Sequence, residues 1–68
     1  MLKKNKLKEF REAKGLSQEK LALRANVTRQ TILSIEGGKY VPSLELALKL
    51  SKIFNCNVEN IFGIGDEK

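Results

Sequence analysis

Arg29 and Gln30 are the side chains of this sequence best placed to recognise another molecule. They follow Thr28, a residue type that caps helix starts, and Leu33 and Ser34 come one helical turn later on the same outward side. An arginine there attracts phosphate and can donate both arms to guanine O6 and N7. Leu33 would be the one sizeable apolar group on that side. Catalytic chemistry has far less to work with. The sequence has no histidine, one cysteine (Cys56) and no phosphate-binding glycine loop, and Glu36 and Glu45 lack an arrangement for acid–base work. We therefore expect no enzyme, no cofactor and no metal site. Cys56 reads as a helix-boundary filler, with only Lys52 nearby to lower its pKa.

The elements that must position those side chains are short helices. Leu21, Ala22 and Ala25 recur at helical spacing, the pattern breaks at Asn26-Val27, and Ile32 and Ile35 then recur three apart. Residues 18–36 thus predict two helices joined by a tight turn, with Asn26 in a left-handed conformation. Helix 1 is expected from near Asn5 to Lys14, with Leu7, Phe10 and Arg11 inward and Gly15 as its stop. Ser17 caps helix 2, which runs to about Arg24, and Thr28 caps helix 3, which ends at Gly37-Gly38. After a loop through Pro42, Ser43 caps helix 4. Leu44, Ala47, Leu48 and Leu50 mark that helix's apolar periodicity to about Phe54. Asn57 caps a short helix 5 through Val58, Ile61 and Phe62. The tail from Gly63 to Lys68 either frays or pairs Ile64 with Met1-Leu2 as a short strand.

Sixty-eight residues suit one domain, spanning 1–68 with its core in 5–62. A chain of this size buries only about 60% of its unfolded surface, which gives it a physical motive to self-associate. A small core also leaves helix 5 few neighbours, so Val58, Ile61, Phe62 and Ile64 are expected to form a homodimer interface. No stretch has the length and apolarity of a membrane span or a signal peptide. With one unpaired cysteine, the sequence reads as soluble and cytoplasmic, without a membrane partner.

Charge is unevenly distributed. Residues 1–40 hold ten Lys or Arg against four acids, whereas residues 41–68 hold three against four. The basic half contains the helix pair, which suits a polyanion. Lys3, Lys4, Lys6 and Lys8 add diffuse attraction, and Asn5, Lys39 and Tyr40 are candidates to reach a phosphate backbone. The helix starts sharpen this reading. Glu19, Glu45 and Glu59 each stand two residues after a cap, where a carboxylate gains about 0.3–1 kcal/mol from the helix dipole. Helix 3 alone has no acid in its first turn and carries Arg29 and Gln30 instead. A local rule broken once in a consistent sequence marks a functional surface.

The segments KGLSQEKLA, NVTRQTILSIEGGKYVPSLELALKLSKIF and NVENIF, in this order, resemble the phage repressor and Cro type of helix-turn-helix protein, the XRE family. The resemblance covers about Leu7 to Phe62. It implies an all-α, compact five-helix, lambda-repressor-like fold and a homodimer on a palindromic operator in double-stranded DNA. Small dimeric members of the family are little more than this domain plus a short β extension. By position, Arg29, Gln30 and Ser34 match base-reading residues, with Leu33 a further apolar contact. Gln18, Thr28, Lys39 and Tyr40 match phosphate-holding positions. Arg11 and Glu36 match an internal ion pair between helix 1 and the end of helix 3, and Ala22 matches the small residue where helices 2 and 3 approach. Asn26 departs from the glycine most often found in the turn. The short tail argues against a small-molecule ligand. The expected function is transcriptional regulation, with repression by operator occupancy. The alternative is a protein-interaction module, such as an antitoxin or anti-repressor, on the same scaffold.

Overall fold

The computed structural model describes residues 5–63, which form α1 (Leu7–Ala13), α2 (Gln18–Ala25), α3 (Arg29–Glu36), α4 (Leu44–Ile53) and α5 (Val58–Ile61), with no strand among the described residues. The proposed pairing of Ile64 with Met1-Leu2 lies outside them.

Each of the three central helices starts on a side-chain cap. Ser17, Thr28 and Ser43 accept hydrogen bonds from the backbone N–H of Lys20, Thr31 and Leu46, at 3.1, 3.2 and 3.1 Å. Each bond satisfies an N–H that the helix itself leaves without a partner.

One stop is used four times. Gly15, Asn26, Gly38 and Asn55 adopt φ of 73°, 60°, 75° and 52°, ending α1 to α4 in turn. After each, the next N–H reaches back five residues: Leu16 to Arg11, Val27 to Ala22, Lys39 to Ser34 and Cys56 to Ser51, all at 2.9–3.0 Å. This closure consumes the last carbonyls of a helix and turns the chain sharply, and an apolar residue after the left-handed one usually packs back onto the helix. Leu16, Val27 and Cys56 do pack against the core, whereas Lys39 is exposed. Asparagine fills two of the four left-handed positions, as its short polar side chain permits.

The core gathers a few residues from every helix: Leu7, Leu21, Ile32, Ile35, Leu50 and Ile61 are fully buried. Ala22 is buried on α2, whose most extensive packing is against α3. Phe10 and Phe54 meet with ring centroids 5.8 Å apart and planes tilted by 48°, an arrangement favoured by the aromatic quadrupole. The N–H of Lys6 donates to Ile61 O at 2.9 Å, so the start of α1 is tied to the end of α5.

Two sequence expectations need correction. α4 buries Leu46, Ala47, Leu50 and Ser51, leaving Leu44 74% and Leu48 48% exposed. Its sequence carries two leucine stripes, and the one containing the small Ala47 and Ser51 faces inward because α2 and α5 approach there. The Ser51 hydroxyl costs little in that place, since it donates to Leu48 O at 2.7 Å. The second correction concerns helix 5. Ile61 and Phe62, expected at a dimer interface, are 0% and 5% exposed within a single protomer. Val58 is half-buried against the same core, and Ile64 lies outside the described residues. Ile61 and Phe62 belong to the same buried cluster as the apolar residues of the other four helices, with Val58 packed against it.

Candidate nucleic-acid interface

α3 divides cleanly into two faces. Ile32 and Ile35 are fully buried, while Arg29 and Gln30 are exposed and Leu33 is 37% exposed. Ser34 is half-buried on the flank of the outward face. Thr28 anchors the helix start, and its hydroxyl lies 3.1 Å from that of Thr31 as well as accepting the Thr31 N–H. Among the described residues, no hydrogen bond occupies the side chains of Arg29, Gln30, Ser34 or Lys39. Their donors and acceptors are available to an outside molecule.

The stop at Gly38 folds the following loop back along the helix. As a result Gln30, Thr31 and Ser34 share a shallow groove with Lys39 and Tyr40. Tyr40 is 45% exposed at the edge of the groove. Two residues expected to read bases, Gln30 and Ser34, thereby share one groove with two expected at phosphates, Lys39 and Tyr40. Thr31 was not foreseen as part of it. The signal was present in the sequence, because Thr31 lies three residues after Thr28 and one before Ile32, on the border between the faces.

Behind this surface lies a polar brace. Arg11 Nε donates to Glu36 Oε2 at 2.6 Å, and Arg11 Nη2 donates to Oε1 at 3.4 Å. Arg11 Nη1 donates to Leu16 O at 2.9 Å, and Gln18 Nε2 donates to Glu36 Oε1 at 3.1 Å. The side chains of the pair are only 10% and 7% exposed. A charge pair so removed from water needs partners for its remaining lone pairs and protons, and the Gln18 amide and the Leu16 carbonyl supply one each. The brace locks α1, the start of α2 and the end of α3 together. It also neutralises the one carboxylate of α3.

Gln18, expected at a phosphate, is thus engaged internally through one N–H, with its second amide proton left over. Asn5, also a candidate for the backbone, is engaged within the fold at both ends of its amide. Its Nδ2 donates to Ile35 O at 2.7 Å and its Oδ1 accepts the Leu7 N–H at 3.1 Å. Lys49 was overlooked in the sequence; its ammonium donates to Ala25 O at 3.4 Å, capping the negative end of α2. Cys56 sits away from this surface, and burial pushes its thiol pKa up, away from thiolate reactivity.

A helix-turn-helix family model, HTH_3, matches residues 7–61, which includes all five helices. The chain is 53% identical over 64 residues to YgzD, an uncharacterised HTH-type transcriptional regulator of Bacillus subtilis, covering 94% of this chain and 97% of the relative. It is 51% identical over 65 residues to another uncharacterised HTH-type transcriptional regulator, from Methanocaldococcus jannaschii, covering 96% and 98%. Among solved structures it is similar to the restriction-modification controller protein C.AhdI from Aeromonas hydrophila. That match has a TM-score of 0.76 and 37% identity, and it covers 84% of this chain and 86% of the other.

Proposed function

Because the chain belongs to the helix-turn-helix family HTH_3, a family of DNA-binding transcription regulators and not of enzymes, we propose that it is a sequence-specific repressor that binds a palindromic operator as a homodimer. The observation that carries this reading is the division of α3. Its isoleucines are spent on the core, while Arg29, Gln30 and Leu33 stand outward beside Ser34, with Lys39 and Tyr40 at the edge.

α3 enters the major groove by its N-terminal end, and α2 crosses the backbone. Arg29 pairs with a guanine through O6 and N7, Gln30 with an adenine through N6 and N7, and Leu33 meets a thymine methyl. Ser34 supplies a further hydrogen bond to a base edge. Lys39, Tyr40, Thr28 and the second amide proton of Gln18 hold phosphates and set the register without reading sequence. Two protomers present two α3 helices about 34 Å apart, one DNA turn. On this reading the output is repression, with the bound dimer occupying the operator in place of polymerase. No helix among the described residues is long and apolar enough to cross a membrane, and the reading places the protein in the cytoplasm, on chromosomal DNA.

Selection of bound sites from random DNA, followed by footprinting, tests the proposal. The expected result is an enriched palindrome with half-site centres about 10 bp apart. Weak binding with no enriched sequence would overturn it in favour of a protein-interaction module.

A further inference from the structure

With Ile61 and Phe62 committed to the protomer's own core, the dimer needs another surface, and the exposed side of α4 is built for one. Leu44 and Leu48 stand one turn apart and are 74% and 48% exposed, and Val41 just before the helix is 60% exposed. Two charges accompany them. Glu45 and Lys52 lie three residues before and four after Leu48, both on one flank of it, and both are exposed. Neither is in a salt bridge among the described residues. The usual helical partner of Glu45 would be Lys49, four residues on. Lys49 is turned away instead, with its ammonium on Ala25 O.

This arrangement is self-complementary. We propose that a second copy of the chain packs on this face, the two α4 helices running antiparallel about a two-fold axis beside Leu48. A two-fold interface uses the same patch twice, so residue i meets j and j meets i. At 1.5 Å per residue, Glu45 lies about 4.5 Å to one side of Leu48 and Lys52 about 6 Å to the other. Reversing one helix therefore brings each Glu45 within about 1.5 Å, along the axis, of the level of the opposite Lys52. Leu48 meets its own symmetry mate, and Leu44 is covered by the opposite helix near the end that carries Lys52, whose aliphatic stem shields apolar surface. A parallel pairing would leave the charged flanks of the two copies on opposite sides of the seam, so only the antiparallel orientation joins Glu45 to Lys52.

The proposal rests on the homodimer reading, and sedimentation of the full chain separates the two. The unaltered protein should sediment as a dimer, and Leu48→Glu, at an exposed position, should sediment as a folded monomer by circular dichroism. Glu45→Lys and Lys52→Glu should each weaken self-association several-fold by setting like charges together. An equimolar mixture of those two variants should restore the dimer, because each pairing across the axis is then attractive. A dimer that survives Leu48→Glu, or a mixture no tighter than either variant alone, would overturn the α4 interface while leaving the homodimer intact. An unaltered protein that is monomeric both free and on operator DNA would overturn both.

Discussion

α3 and its neighbours α2 and α4 share a construction but differ at both ends. All three start on a hydroxyl cap and finish on a left-handed residue with a five-residue return bond. α2 and α4 then add the stabilising extras. Glu19 and Glu45 sit in the first turn, and Val27 and Cys56 pack after the stop. α3 has Gln30 where the others have glutamate, preceded by Arg29, and the exposed Lys39 where they have an apolar contact. Its middle, Ile32 and Ile35, is ordinary core. On the proposed function, the contacts at the two ends of the helix occupy positions where local stability is given up, about 0.3–1 kcal/mol at the first turn.

The largest test of this contrast removes what holds α3 from behind. Arg11→Ala strands the buried Glu36 carboxylate and should cost about 3–5 kcal/mol, read as a lower midpoint in urea unfolding. Replacing both partners, Arg11→Met with Glu36→Leu, should recover most of that loss, since the pair orients the helix more than it stabilises the fold. Next, Arg29→Ala should leave stability within about 0.5 kcal/mol. It should cost about 1–3 kcal/mol of operator affinity and relax specificity at one base pair. An equal loss on all sequences would reassign Arg29 to phosphate. Gln30→Glu gives α3 its neighbours' first turn; it should raise unfolding stability by about 0.3–1 kcal/mol while weakening DNA binding. If stability and binding both improve, the contrast has no functional meaning. The smallest effect belongs to Lys39→Leu, which should lower affinity on every sequence alike and reduce the slope of log K against log salt by about one.

The helices and their caps were legible because each depends on a few adjacent residues: Ser17, Thr28, Ser43 and Asn57 at the starts, Gly15 and Asn26 at the stops. The outward side of α3 was legible for the same reason, since Thr28 fixes the helix phase and phase assigns Ile32 and Ile35 inward. What could not be read were choices made by neighbours distant in sequence. α4 offered two leucine stripes, and only contact with α2 and α5 selects the one holding Leu46 and Leu50. Helix 5 looked short of partners because the core residues it joins come from helices distant in sequence, from Leu7 onward. Asn5 and Gln18 looked free to reach DNA, yet their amides meet Ile35 O and Glu36 across 30 and 18 residues.

α3 is only eight residues long. Isolated helices shorter than about 12–15 residues are marginal in water, so this one exists only while the core beneath it is intact. Reading DNA and being folded are then a single equilibrium. On the proposed function, operator DNA that binds the native chain alone raises the melting temperature, and goes on raising it with the logarithm of free DNA after the sites are full. Inside a cell the bound chains are also the ones withheld from proteases, which act on the unfolded population. The regulator's abundance would then follow the number of operator sites available to hold it.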